Sequence, residues 1–145
     1  MVFKQTPTVQ EYAQSVAELL SLAKQHCGGS RVAAQVLLSA YNGEEWQLNV
    51  ADLCVLDMDN LTHALKVMTG RAIYRREPQE LVVDGDNHFQ ALVQDWKRFH
   101  IHNRWKTTCF NCDGSGVDYE DDEGEIEITC MSCHGKGVIA EVREF

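Results

Sequence analysis

Cys109-Phe110-Asn111-Cys112-Asp113-Gly114-Ser115-Gly116 and Cys130-Met131-Ser132-Cys133-His134-Gly135-Lys136-Gly137 are two copies of one pattern, C-x-x-C-x-G-x-G. Two residues between thiols let both sulfurs of a tight turn face one ion, and the glycines that follow let the backbone fold back towards them. The two cysteine pairs are separated by the 17 residues 113–129, a spacing suited to a paired-knuckle zinc site. Cys109, Cys112, Cys130 and Cys133 are therefore the expected ligands of one structural Zn2+. Catalytic zinc keeps a coordination position for water, whereas four cysteines fill the tetrahedron. Redox C-x-x-C motifs usually occur singly at a helix N-terminus, without doubled knuckle glycines. His134, inside the second copy, is either a substitute ligand or, by the preferred reading, an exposed filler.

Between the copies, residues 117–120 and 125–129 alternate like strands, and Asp121-Asp122-Glu123-Gly124 supplies a turn. A β-hairpin with an acidic tip is expected, with residues 138–142 as a third short strand. Few large apolar residues follow position 108, so this segment needs a staple. Structural zinc contributes ~10 to 16 kcal/mol of apparent binding energy at neutral pH, enough to fold such a finger.

Upstream, the chain reads as helices. Thr8 and Glu11 make the T-x-x-E of a capping box, followed by Val9, Tyr12, Ala13, Val16, Leu19, Leu20 and Ala23 at helical spacing. Gly28-Gly29 is expected to end that helix, and Ser30 to cap a second over 31–41. A short third helix is expected from Asn49 to Leu56, and a fourth from Asp57 or Asp59 until Gly70 weakens or ends it near Arg71. Residues 75–85 read as a loop in which Leu81-Val82-Val83 could pair as a strand. A fifth helix, from about Asp86 to Phe99 or beyond, places Phe89, Leu92, Val93 and Trp96 on one stripe. The fold class is α+β, mainly α: a body of four to five helices over 1–106 and a small one-zinc β-hairpin finger over 107–145. Cys27 and Cys54 are expected to be small buried hydrophobes among these helices.

The repeats resemble the cysteine-rich region of DnaJ-type (Hsp40) chaperones, over about residues 107–140. That family carries four repeats and two zinc ions, against two repeats here. The resemblance implies Cys109, Cys112, Cys130 and Cys133 as ligands and Gly114, Gly116, Gly135 and Gly137 as knuckle glycines. Neither proline, Pro7 or Pro78, follows a histidine, so the His-Pro-Asp tripeptide of a J-domain is missing. What the likeness implies is a half-size finger that holds a protein surface, as in small adaptors and inhibitors. Residues 15–100 resemble an uncharacterised family of small proteins carried by plasmids, phages and integrated elements. That likeness is carried by Leu19-Leu20-Ser21-Leu22-Ala23, Ser30-Arg31-Val32-Ala33, Leu37-Leu38-Ser39-Ala40-Tyr41-Asn42 and Val50-Ala51-Asp52-Leu53 followed by Asp57. It names no chemistry.

Charge divides the chain. The net charge of -9 is concentrated in residues 109–145, which hold two Lys+Arg against ten Asp+Glu. Asp118, Glu120, Asp121, Asp122 and Glu123 are candidate contacts for a basic protein partner, with Phe110 and Met131, which lie between paired ligands. The bland alternative is a solvated hairpin that keeps the finger soluble. A mobile-element counter-defence inhibitor, offering this acidic surface to a basic nucleic-acid-binding host complex, is one version of the docking reading. The stretch 96–106 is the opposite patch. Its Lys97, Arg98, Arg104, Trp105 and Lys106 could grip nucleic acid by stacking and phosphate contacts. The favoured alternative is an amphipathic helix end whose bases offset the acidic finger, because a neighbouring segment of such charge repels phosphates.

No phosphate loop, H-E-x-x-H or G-x-S-x-G signature is present, so the expectation is a non-enzyme. No apolar run approaches ~20 residues and the N-terminal residues lack a signal-peptide core, so a cytoplasmic protein without membrane association is expected. Assembly into an oligomer is compatible with the sequence.

Overall fold

The computed structural model describes residues 6–104 and 106–140; for Lys106 and Ala140 it describes the backbone alone. Its class is α+β, mainly α. The chain divides into two compact units, Met1–Gln94 and Asp95–Phe145.

In the first unit, α1 (Val9–Ala23) starts where the sequence placed it. Thr8 Oγ1 accepts from the Glu11 N–H, and the Glu11 carboxylate accepts from the Thr8 N–H. The helix α2 (Gly28–Tyr41) begins earlier than expected, with Cys27 as its cap and Gly28-Gly29 inside its first turn. Ser30 is not the cap. Its buried hydroxyl accepts from Cys27 N–H and donates to the carbonyl of Leu22, stitching the start of α2 to the end of α1. The α1 turn is closed instead by Lys24, and His26 takes the left-handed conformation that redirects the chain.

The third expected helix is a 3-10 segment, Val50–Val55, capped by the Asn49 side chain. Buried Gln35 of α2 holds it from one side, donating to the Asp52 carboxylate and accepting from the Asn49 N–H. The helix α3 (Met58–Tyr74), capped by Asp57, runs through Gly70 and ends at left-handed Arg75. Gly70 is a packing residue rather than a stop: a Cβ there would lie 2.5 Å from Cγ of Tyr12. Absence of a side chain lets α1 and α3 approach. Tyr12 is fully buried and donates its hydroxyl to the Arg76 carbonyl at 2.9 Å.

Residues 81–83 form no strand; a 3-10 turn, Pro78–Leu81, precedes α4 (Gly85–Asp95). Gly85 is required where it stands, since a Cβ would meet the Gln79 carbonyl oxygen at 1.8 Å. The helix α4 stops short of the expected Phe99, because Trp96 leaves helical geometry and a 3-10 turn, Lys97–Phe99, follows. Phe89 and Leu92 of α4 join the core formed by Val16, Leu19, Val36, Leu37 and Val67. Cys27 and Cys54 are exposed, against expectation: one is a helix cap and the other lies on the solvent side of the 3-10 segment. Among the described residues, no helix is long and apolar enough to cross a membrane.

Among the described residues, the second unit carries four strands in two antiparallel pairs. The expected hairpin is β2 (Val117–Tyr119) with β3 (Glu127–Thr129), in the register Val117↔Thr129 to Tyr119↔Glu127. The strand β4 (Val138–Ala140) does not extend that hairpin. It pairs with β1 (Lys106–Thr108), a strand the sequence did not reveal. The expected continuation of β4 over 141–142 lies outside the described residues.

Candidate metal centre

The core of the second unit is the cysteine cluster itself. Cys109, Cys112, Cys130 and Cys133 are all buried, and Ile139 packs against them. Their sulfurs lie within 4.8 Å of one another. The first cysteines of the two repeats, Cys109 and Cys130, have sulfurs 3.8 Å apart; the second pair, Cys112 and Cys133, 3.7 Å. A disulfide would require about 2.05 Å. A tetrahedron with metal–sulfur bonds of ~2.3 Å has edges of about 3.8 Å, so the donor set fits a four-coordinate thiophilic ion such as Zn2+.

The surroundings repeat as the sequence does. Gly116 N–H donates to Cys112 Sγ and Gly137 N–H to Cys133 Sγ, each at 3.2 Å. Cys109 N–H donates to the Gly137 carbonyl and Cys130 N–H to the Gly116 carbonyl, each at 3.0 Å. The two knuckles thus exchange equivalent bonds. Asp113 and His134, at matching positions, are both left-handed and exposed; His134 is outside the sulfur cluster.

These donors favour thiolates unevenly. The Cys133 N–H lowers the Cys130 thiol against the push of burial, and with the Asn111 amide brings it to about 6. For Cys112 burial acts upward, but the Gly116 N–H and the Cys133 thiol outweigh it and the pKa is lowered. Cys109 goes the other way, to about 11: the Cys112 N–H lowers it, but burial and the Cys112 and Cys130 thiols prevail.

The candidate contact residues have separate roles. Phe110 is 86% exposed and Met131 72%, at equivalent positions of the two repeats. Half-buried Asp118 accepts from Asn111 Nδ2 at 2.8 Å, and that amide also faces Cys130 Sγ at 3.7 Å. Asp121 is committed to the hairpin turn, where one carboxylate oxygen accepts from the N–H groups of Glu125 and Ile126. Asp121, Glu123 and Glu125 bring their carboxylates within reach of one another. Glu120, Asp122 and Glu123 are exposed. Sequence reasoning named these acids as one set but did not separate the two that build the finger.

Of the nucleic-acid candidates, Lys97 donates to the Gly135 carbonyl. Arg98 lies over the rings of Trp96 and Phe99, at 4.9 and 5.1 Å from their centroids. Arg104 is half-buried; Trp105 lies outside the described residues, as does the side chain of Lys106. The available signal for Lys97 and Arg98 was the charge contrast between 96–106 and the segment after it.

A protein-family model matches residues 13–97, more than half of the chain. The chain belongs to DUF7673, a family of unknown function. The DUF7673 match runs from within α1 through α4 and ends at residue 97, so the cysteine cluster lies beyond it. The likeness of the cluster to DnaJ-type fingers rests on its repeats alone. No curated protein and no solved structure matches the chain.

Proposed function

We propose that this DUF7673 protein is a non-enzymatic zinc-binding interaction module, of adaptor, inhibitor or chaperone-like kind, whose metal holds an acidic recognition surface. One observation carries the reading. Four buried cysteines complete a tetrahedron and leave a bound ion no open position for water or substrate, while Phe110 and Met131 between them face solvent. Cys109, Cys112, Cys130 and Cys133 would hold the ion, which supplies charge and shape to the finger. The partner is a protein with a basic surface, because the exposed acids Glu120, Asp122 and Glu123 lie on the same finger. An inhibitor that offers this finger to the basic groove of a nucleic-acid-binding complex is a special case of the same surface. A reducing, cytoplasmic setting would keep the thiols available to metal.

The test has two arms. Elemental analysis after dialysis should find one Zn2+ per chain in the wild type. Tagged wild-type protein, Cys112→Ser and the triple variant Glu120→Lys, Asp122→Lys, Glu123→Lys would then be used to recover partners from the host. Equal recovery of the same protein by all three would overturn the acidic-surface reading.

A further inference from the structure

Lys97 and Arg98 are adjacent in sequence, and the structure sets them against the two glycine crossings of the finger. The Lys97 ammonium donates to the Gly135 carbonyl of the second repeat. It also rests on the first repeat, since a Cβ added to Gly116 would lie 2.7 Å from its nitrogen. Gly116 is one hydrogen bond from two expected ligands: its N–H donates to Cys112 Sγ and its carbonyl accepts from Cys130 N–H. Arg98 takes the matching place on the other side. A Cβ at Gly114, the counterpart of Gly135, would lie 3.1 Å from Arg98 Nη1.

From this arrangement we infer that Lys97 and Arg98 are positioning residues of the metal centre, a pair of cations that clamps the two repeats and offsets the negative charge of four thiolates. The inference rests on the reading that the cysteines hold a metal ion. Four thiolates around a divalent cation leave two formal negative charges in a buried site, and the surrounding segment is already acidic. Cations set against the glycines that follow the ligands stabilise that charge without occupying the coordination shell. The clamp also explains why a basic, aromatic stretch directly precedes an acidic finger.

The experiment uses the full-length chain and competition for Zn2+ against a chromophoric chelator. Wild type, Lys97→Met, Lys97→Arg and Lys97→Met/Arg98→Met are compared, with Co2+ absorption reporting the ligand set. Outer-shell substitutions typically weaken metal binding about 10- to 100-fold. Lys97→Met should show a loss in that range, the double variant a larger one, and Lys97→Arg should recover most of it. The Co2+ bands of Lys97→Met should stay at their tetrathiolate positions, since no ligand is removed. Wild-type affinity in Lys97→Met would overturn the clamp, as would equal losses in Lys97→Met and Lys97→Arg or a changed Co2+ spectrum. Failure of the wild type to bind Zn2+ or Co2+ would instead overturn the metal reading beneath it.

Discussion

Gly137 and Gly114 meet backbone to backbone: a Cβ on Gly137 would stand 2.3 Å from the Gly114 carbonyl oxygen. The reciprocal pair is Gly116 and Gly135, where a Cβ on Gly116 would stand 2.4 Å from the Gly135 carbonyl oxygen. Each repeat's second glycine therefore lies on the first glycine of the other repeat. Both second glycines also have positive φ, +78° and +76°, and both donate their N–H to a cysteine sulfur.

Gly137→Ala should consequently be far more damaging than Gly124→Ala. Both positions have positive φ, which costs alanine about 1 kcal/mol, but a Cβ at Gly124 meets nothing closer than 4.0 Å. Chelator competition should show weakened Zn2+ binding for Gly137→Ala and nearly wild-type binding for Gly124→Ala. Similar values for the two would mean that the crossing is not a close contact.

Cys112→Ser removes one of four sulfurs and the acceptor of the Gly116 N–H. Its affinity for Zn2+ should fall by orders of magnitude and the finger should lose its order, because on the proposed reading ion binding supplies most of the folding energy of so small a unit. Far-ultraviolet circular dichroism should retain most of the helical signal, which arises from the other unit. Loss of helix together with metal would show that the two units fold as one.

Gly70→Ala gives a test of sign. If Gly70 merely weakened α3, alanine would stabilise the protein by about 1 kcal/mol through helix propensity. With a Cβ 2.5 Å from the Tyr12 ring, the expected outcome is destabilisation of ~1 to 3 kcal/mol from overpacking. Urea unfolding followed by the helical signal distinguishes the two directions.

Tyr12 links stability to alkaline pH. Burial raises its phenol pKa from 10.0 to about 12. Below pH 10 the phenol is neutral both folded and unfolded, so its full contribution is present. As pH rises from 10 towards 12 the unfolded chain ionises first, and the contribution is lost through the folded pKa. Tyr12→Phe, which also gives up the hydrogen bond to the Arg76 carbonyl, should be less stable at pH 7.5 by about 1 kcal/mol. The gap should narrow above pH 10. A constant difference between pH 7.5 and 11 would contradict this assignment.

The legible parts of the chain are those in which the interacting residues are near in sequence. The capping box of Thr8 and Glu11 spans three residues, Asp57 caps α3 at the same range, and the hairpin closes around Asp121 within five. Each cysteine pair is also local, and its duplication was enough to bring four sulfurs to one centre. Errors arose where local signals had a second use. Gly28-Gly29 resembled a helix end but lies inside α2, and Ser30 resembled a cap but bonds back to Leu22. Cys27 and Cys54 were placed inside because their neighbours are apolar, yet both thiols are exposed.

By itself, the sequence determined the helical body, the four candidate ligands, the acidic hairpin and the concentration of negative charge after residue 108, because spacing and composition specify them over a few residues. The tertiary structure decided which glycine meets which, that Gly70 receives Tyr12, that β4 pairs with β1, and that Lys97 and Arg98 sit on the knuckles. Those relationships join residues 16 to 58 positions apart. They depend on close approach of backbone and side chains that no local pattern encodes.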